Sequence, residues 1–209
     1  MAQAIRRAGL DNERVDAHSL DMARPLNEDR RRAILAAATE LVAEQGLGAA
    51  TAEIAKRASV PHGSVFTYFA TKEELLNTLY RELTTELTDT VLAGMPKGVD
   101  ARARFHHLWV TWTRWGVVNE AKRRAQAQLN VSDQVNERIR NAAYEYAEPV
   151  FQLIRQISAR GVLRDAPVRY VGALVDAWAT TTMDFMCRTP TKSDELCELG
   201  FKAVMKALA

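Results

Sequence analysis

The eleven residues from Ser59 to Phe69, SVPHGSVFTYF, combine hydroxyl groups and aromatic rings but contain no acid, lysine or arginine. The hydroxyls of Ser64 and Thr67 can donate or accept hydrogen bonds at base edges and phosphates, and the ring of Phe66 can touch a thymine methyl group. This choice of residue types indicates a surface that faces double-stranded DNA.

Two further residues fit the same chemistry. Gly63 removes a side chain where the backbone must approach a ligand, and Lys72 supplies a positive charge just beyond the segment. The chain as a whole gives no such signal, since 28 Lys and Arg against 26 Asp and Glu leave a net charge of +2. The prediction of DNA binding therefore depends on local residues.

Helical periodicity predicts the elements that position this segment. Asn27 can cap a first helix that ends at Gly46, and a short second helix is expected over 51–58. The segment above forms a turn and a third helix, and Thr71 with Glu74 makes a capping box that begins a fourth. A short helix, a tight turn and a second short helix form the helix-turn-helix arrangement, whose second helix enters the major groove. The spacing alone fits a packed three-helix corner equally well.

The rest of the chain is also predicted to be helical, and no strand-like alternation is found, so the fold class is all-α. Residues 1–26 show mixed charge and little periodicity and are expected to form a mobile tail. Pro149 is expected to kink or divide one long helix. The helices expected after the fourth cover 101–118, 119–130, 133–160, 167–188 and 193–208.

A family resemblance adds to this interpretation. The stretch IAKRASVPHGSVFTYFATKEELL, from Ile54 to Leu76, resembles the signature of the TetR family of bacterial transcriptional regulators. The resemblance implies a three-helix DNA-binding domain over 27–76 and an effector-binding and dimerisation domain over 77–209. The matching positions are Ile54, Ala55, Ala58, Val60, Gly63, Val65, Tyr68, Phe69, Lys72, Glu73 and Leu75.

Several residues depart from the family pattern and bear on the operator sequence. Ser59 replaces a turn glycine, which predicts a strained turn. Ala50 replaces a threonine, which leaves Thr51 as the expected helix cap and phosphate contact. The residues expected to contact DNA are Thr51, Pro61, His62, Gly63, Ser64, Phe66, Thr67, Tyr68 and Lys72.

The larger half resembles the family only in its general plan, which implies a small-molecule effector and a dimer formed by the last two helices. On the 167–188 helix one apolar face is expected to carry Tyr170, Val171, Leu174, Trp178 and Phe185. The expected pocket for a small lipophilic or aromatic effector is lined by Trp109, Trp112, Tyr144, Phe151, Asp176, Trp178 and Met183. The expected dimer interface comprises Cys197, Phe201, Val204 and Leu208.

Other chemistry is weakly indicated. His106 and His107 are adjacent and point about 100° apart, so they cannot chelate a metal together. Asp176 and Asp184 could resemble a catalytic pair, but no nucleophile or phosphate loop accompanies them. An inward carboxylate at either position would favour a basic group on the effector. Cys187 and Cys197 are expected to be reduced, buried thiols.

The sequence therefore predicts a cytoplasmic, homodimeric DNA-binding regulator, most simply a repressor released by its effector, with no cofactor, metal, enzymatic activity or membrane partner. A dimer would bind an inverted-repeat operator. Two alternatives stay open at this stage. One is a helical enzyme that uses Asp176 and a Trp-lined cavity, and the other is a helical interaction module with no DNA role.

Overall fold

A computed structural model of the chain describes residues 27–209, and the expected tail over 1–26 lies outside the described residues. Every regular element of the described part is helical. The helices are α1 (Glu28–Gln45), α2 (Thr51–Arg57), α3 (His62–Tyr68), α4 (Lys72–Leu92), α5 (Ala101–Val118), α6 (Glu120–Asn130), α7 (Glu137–Tyr146), α8 (Glu148–Ser158), α9 (Val168–Arg188) and α10 (Ser193–Leu208), with a 3₁₀ turn at Pro190–Lys192. The all-α prediction is confirmed.

The first helix begins and ends at the residues that the sequence indicates. The side-chain oxygen of Asn27 accepts hydrogen bonds from the backbone N–H groups of Asp29 and Arg30 at 2.8 and 3.3 Å. These bonds satisfy donors that a helix start leaves unpaired. At the other end Gly46 adopts φ +78°, and its N–H donates to the carbonyl of Val42 at 2.9 Å. A positive φ is readily adopted by glycine, so Gly46 ends the helix.

The long helix expected over 133–160 is two helices, α7 and α8. Pro149 is the second residue of α8, where its missing N–H costs no helical hydrogen bond. The start of α7 is also later than expected, because Asn136 caps it by accepting from the N–H of Ile139 at 2.9 Å. The proline therefore divides the helix.

The buried side chains form two cores, and α6 contributes to the first although it follows α5 in the chain. The first core joins α1, α2, α3 and the beginning of α4 with Ala125 and Leu129 of α6, which are both 0% exposed. The second core joins the end of α4 with α5, α8, α9 and α10. Lys122 of α6 also forms an ion pair with Glu86 of α4 at 2.6 Å. The expected domain boundary at 76/77 falls within α4, and the division into domains stays a prediction.

The apolar face expected on α9 is wrong for two of its aromatic residues. Tyr170 and Phe185 are 55% and 50% exposed, whereas the buried side of α9 consists of Val171, Val175, Ala179, Met183 and Met186. Both sides of this helix carry apolar residues, so the periodicity of the sequence could not show which side is buried. The side with the smaller residues packs inside.

The four residues expected at the dimer interface are also misplaced. Cys197, Phe201, Val204 and Leu208 are 3%, 5%, 0% and 0% exposed and belong to the second core. Because they are covered within one protomer, they cannot offer a surface to another. The exposed side of α10 instead carries Leu199, which is 62% exposed. Among the described helices, none is long and apolar enough to cross a membrane.

Candidate DNA interface and ligand site

Helix α3 is anchored by two side chains that point into the first core. Val65 is 1% exposed and Phe69, which follows the helix, is 2% exposed. They pack in the same core as Ile54 and Ala55 of α2. The opposite side of α3 is consequently fixed toward solvent, as the sequence predicts.

The turn between α2 and α3 passes through a left-handed residue. Ser59 has φ +55°, a region that L-residues other than Asn and Asp adopt at a cost. Backbone hydrogen bonds hold it, from the N–H of Ser59 to the carbonyl of Lys56 at 3.1 Å and from Val60 to Ala55 at 3.0 Å. The strain predicted from the missing glycine is therefore found at this residue.

Five of the expected DNA contacts form a continuous exposed surface at the start and along the outer side of α3: Pro61, His62, Gly63, Phe66 and Thr67. Phe66 is 44% exposed, which is unusual for so large an apolar ring. A Cβ atom added to Gly63 would meet no protein atom within 4 Å, and its φ is not in the left-handed region. The fold itself therefore does not require glycine at position 63.

His62 is positioned by two neighbours on this surface. Its Nε2 lies 3.2 Å from the hydroxyl of Thr51, and its ring meets the ring of Phe66 edge-on at a centroid distance of 5.5 Å. Thr51 is the first residue of α2 and is not its cap, because Ala50 occupies the cap position and makes no side-chain bond. The predicted role of Thr51 as a cap is wrong, and its hydroxyl instead connects α2 to α3.

Partial burial or a hydrogen bond within the protein limits several of the expected contacts. Ser64 and Lys72 are half-buried, and Thr67 donates its hydroxyl hydrogen to the carbonyl of Gly63 at 3.3 Å, which leaves the oxygen's lone pairs free. The hydroxyl of Tyr68 accepts a hydrogen bond from the backbone N–H of Asn27 at 3.2 Å, and its ring packs against the first core. Tyr68 therefore also holds α3 against the start of α1.

The basic side chains around this surface differ in whether they are already paired with a carboxylate. Arg57 is held by Glu44 through two hydrogen bonds of 2.7 and 3.0 Å and lies 3.4 Å from Glu40. Lys72, at the first position of α4, forms no ion pair with any residue in 27–209. Lys72 is thus an available cation beside α3.

Some of the residues expected to line a ligand pocket are buried in the second core, and the others are half-buried. Trp109 and Met183 are 0% and 1% exposed, and the indole N–H of Trp109 donates to the carbonyl of Cys197 at 2.9 Å. The sulfur of Met183 lies so close to Gly116 that a Cβ there would be 2.2 Å away. These two side chains are close-packed core residues.

The other aromatic candidates are half-buried. The rings of Tyr144 and Phe151 are tilted by 56° at a centroid distance of 5.5 Å, and the guanidinium of Arg169 lies over Tyr144 at 4.1 Å. Phe151 also contacts α9 at Gly172, where an added Cβ would be 2.8 Å from the ring. Trp112 and Trp178 are half-buried against the second core. Two open surface cavities of about 290 and 380 Å³ lie elsewhere, at the α8–α9 junction and between α1 and α2.

A buried arginine is the functional candidate that sequence reasoning missed. Arg123 belongs to the run KRR, which suggests a solvated face, but its side chain is only 9% exposed. Its Nη2 lies 2.8 Å from Oδ1 of Asp184, although neither Nη2 nor Nε makes a well-directed hydrogen bond. Gly116 leaves room for the Arg123 stem, which would lie 3.1 Å from a Cβ atom at that position.

Asp176 differs from Asp184 in having no such partner. Its carboxylate makes no hydrogen bond or ion pair with another residue of the described chain. Burial raises the pKa of Asp176, and the positive charge of Arg123 opposes that rise only in part. A carboxylate that is removed from water without a partner is energetically poor in its charged form.

The histidines and cysteines fill structural positions. His106 pairs with Glu198 at 2.7 Å, and His107 bonds the carbonyl of Ala93 at 3.0 Å. Cys197 is buried beside the hydroxyl of Thr113 at 3.3 Å, whereas Cys187 is only partly buried. Over 27–209, no group of His, Cys, Asp and Glu side chains is arranged to hold a metal ion.

Comparison with known proteins identifies the N-terminal part of the chain. Residues 34–79 match the family model described as bacterial regulatory proteins, tetR family. An HTH-type transcriptional repressor from Mycobacterium tuberculosis is 40% identical over 81 residues, which cover 38% of this chain and 43% of that protein. The Escherichia coli regulator BetI is 42% identical over 73 residues, 33% of this chain and 37% of BetI. The match thus spans less than half the length of these curated relatives.

Solved structures extend the likeness over most of the chain. A tetR family transcription regulator from Shewanella sp. PV-4 superposes with a TM-score of 0.76 at 26% identity, covering 86% of this chain and 98% of that one. LfrR from Mycobacterium smegmatis, solved in complex with proflavine, has the same fold with a TM-score of 0.62 at 15% identity, covering 87% and 98%. The helix-turn-helix geometry, the matched motif and the shared fold agree, and they identify residues 34–79 as the DNA-binding part of a TetR family transcriptional regulator.

Proposed function

We propose that this protein is a ligand-responsive repressor that binds an inverted-repeat DNA operator as a homodimer. The observation that carries the proposal is the exposed, acid-free surface of α3, on which Gly63 is dispensable to the fold and Phe66 remains uncovered. An enzymatic role is not favoured, because residues 34–79 match a family of DNA-binding regulators.

The DNA-reading role divides among the exposed residues by chemistry. Thr67 and Ser64 contact base edges, and Phe66 packs on a thymine methyl group. Thr51, His62 and Lys72 contact phosphates, so they position the helix without reading sequence. Gly63 allows the backbone close to the duplex, and Pro61 fixes the direction in which α3 begins.

Dimerisation uses the exposed sides of α9 and α10 rather than their buried sides. Tyr170, Ala177, Thr181 and Phe185 recur at helical spacing on the exposed side of α9, and Leu199 lies on the exposed side of the neighbouring α10. Exposed apolar side chains arranged on one face are typical of a protein interface. A two-fold dimer through this face would place two α3 helices at a fixed separation.

A small lipophilic or aromatic effector binds in the larger half, among the half-buried side chains Trp112, Tyr144, Phe151 and Trp178. Its binding reaches the DNA-binding half through α6. That helix contributes Ala125 and Leu129 to the first core while Arg123 reaches α9. A ligand that favours one position of α6 would therefore change the position of α1 and the population of the DNA-competent state.

The test of this function is selection of operator DNA from a random duplex library with the full chain. We expect an enriched inverted repeat whose half-sites are about one helical turn apart or slightly more. Thr67→Ala should relax sequence preference at a single position by about 1–3 kcal/mol. Lys72→Ala should weaken binding to all sequences and reduce the salt dependence, since it removes one phosphate contact.

Lys97→Ala is the matched control, because Lys97 is an exposed lysine in the α4–α5 loop. It should leave both affinity and salt dependence unchanged. Enrichment of no common sequence, or equal loss for Lys97→Ala and Lys72→Ala, would refute the assignment of α3 and the start of α4 as the DNA interface.

A further inference from the structure

His62 lies on the exposed surface of α3, and one of its two ring nitrogens already has a partner. Its Nε2 is 3.2 Å from the hydroxyl of Thr51, the first residue of α2. Its ring also meets the ring of Phe66 edge-on at a centroid distance of 5.5 Å. The other nitrogen, Nδ1, makes no hydrogen bond with a residue in 27–209. One contact from α2 and one from α3 thus position the ring and leave Nδ1 unpaired.

The hydroxyl of Thr51 can bond to this ring in every protonation state, because a hydroxyl both donates and accepts. In the neutral ring only one of the two nitrogens carries a hydrogen. In the charged ring Nε2–H donates to the oxygen of Thr51, and Nδ1–H remains as a charge-assisted donor. Only the imidazolium therefore offers a DNA phosphate both a positive charge and a donor from a positioned ring.

No carboxylate in 27–209 lies within ion-pair distance of His62. Helix α3 itself has no charged residue besides this histidine, and the charged side chains of α2 border the cavity between α1 and α2 instead: Glu53, Lys56 and Arg57. At the start of α4 the charged residues are Lys72, Glu73 and Glu74, and the carboxylate of Glu74 accepts from the N–H of Ala70 at 2.8 Å. An anion that pairs with the charged ring must therefore come from a ligand.

We propose that His62 is a proton-dependent contact to a DNA phosphate, that its imidazole takes up a proton when DNA binds, and that Thr51 is the residue that orients it. This inference rests on the proposed function, because it specifies how one residue of the DNA interface acts. A phosphate beside the ring favours the charged form, so DNA binds the protonated protein more tightly. Affinity for DNA consequently rises as pH falls through the range in which histidine titrates.

The test measures proton uptake and affinity for two duplexes, the selected operator and a duplex of unrelated sequence, with the full chain. Isothermal titration calorimetry in PIPES and in imidazole buffer at pH 7 counts the protons, because the two buffers differ in their heat of ionisation. Fluorescence anisotropy at pH 6, 7 and 8 gives the affinity. We expect uptake of up to about two protons per dimer and affinity at pH 6 at least about tenfold above that at pH 8, on both duplexes.

Substitutions of His62 separate its charge from its shape. His62→Gln should bind as weakly at every pH as the wild type does at pH 8. His62→Lys carries a permanent charge, so it should lose the pH dependence and bind at pH 8 within about threefold of the wild type at pH 6. The matched controls change each of the other three histidines of the chain to glutamine, and all should keep the wild-type proton uptake: His18, His106 and His107.

Thr51→Val tests the orienting role, because valine keeps the shape of threonine and removes the hydroxyl. Proton uptake should fall by at least about half, since the ring loses the partner of its Nε2. Thr51 is also a proposed phosphate contact, so the substitution is repeated in His62→Gln. We expect the loss of affinity at pH 6 to be at least about threefold smaller in that background, as two residues that act together require.

Four results would overturn the proposal. The first is DNA binding without proton uptake, which leaves the proposed repressor function standing. The second is uptake that survives in His62→Gln or disappears in one of the three control variants. The third is uptake with the operator alone, which would place the contact on a base rather than a phosphate. The fourth is no binding of either duplex at any pH, which would refute the proposed function as well.

Discussion

Replacing Phe185 with alanine tests the proposed dimer interface on α9. The ring is 50% exposed on the outer side of α9, so a partner subunit could cover the remaining half. A phenylalanine buries about 150–250 Å² in full, so roughly 75–125 Å² would be covered on association. At about 25 cal/mol per Å² this area corresponds to roughly 2–3 kcal/mol for each protomer.

A two-fold dimer contains the contact twice, so the variant loses roughly 4–6 kcal/mol of association free energy as an upper estimate. This loss corresponds to a dissociation constant raised about 10³–10⁴-fold. Sedimentation velocity over a dilution series measures the constant, and circular dichroism checks that the protomer stays folded. A large change in self-association with an unchanged melting curve is the expected combination.

Val162→Ala is the control for this experiment. Val162 is 90% exposed between α8 and α9 and is no part of the proposed interface, so its truncation should leave the dimer intact. A dissociation constant for Phe185→Ala within about threefold of wild type would refute the assignment of this face to the interface.

Four further changes give distinct outcomes. Gly63→Ala should leave the protein as stable or about 0.5–1 kcal/mol more stable, because alanine favours a helix and its Cβ meets no protein atom. Operator affinity in a gel shift should nevertheless fall at least tenfold. Retained affinity would exclude a close approach of the α3 backbone to DNA. Ser59→Gly relieves a positive φ and should raise the denaturation midpoint, with a net gain of about 0.5–1 kcal/mol after the entropy of glycine is subtracted; a lower midpoint would contradict the strain. Phe201→Glu puts a charge into the second core, so thermal melts should show loss of folding by the protomer rather than a folded monomer. The pKa of Asp176 is raised above its unfolded value, so ionisation of this carboxyl destabilises the fold as pH rises through that pKa. Asp176→Asn should therefore raise the melting temperature at pH 7.5 but not at pH 4. An equal rise at both pH values would exclude a charge effect.

The parts of the fold that the sequence predicted are those fixed by local chemistry. The Asn27 cap, the Thr71–Glu74 capping box and the division at Pro149 depend on residues within one turn of each other. The strained turn at Ser59 was also predictable, because a non-glycine residue stands where the family motif has glycine.

The errors concern side chains whose surroundings are distant in the chain. Both faces of α9 are apolar, so only the packing of α5, α8 and α10 decides which face is buried. Arg123 has the appearance of a surface residue, since its partner Asp184 lies on another helix. The four residues assigned to the interface do lie on one apolar side of α10. An apolar side alone does not show whether it packs against the same protomer or against a second one.

The contribution of α6 to the first core has a consequence for recombination between relatives. A chimera cut within α4, after the matched helix-turn-helix motif, would leave Ala125 and Leu129 with the foreign half. The first core would then be completed by side chains selected for a different α1. Exchange of operator specificity between family members should therefore succeed when α6 travels together with residues 27–76, although the two segments are separated in the gene by the whole of α5.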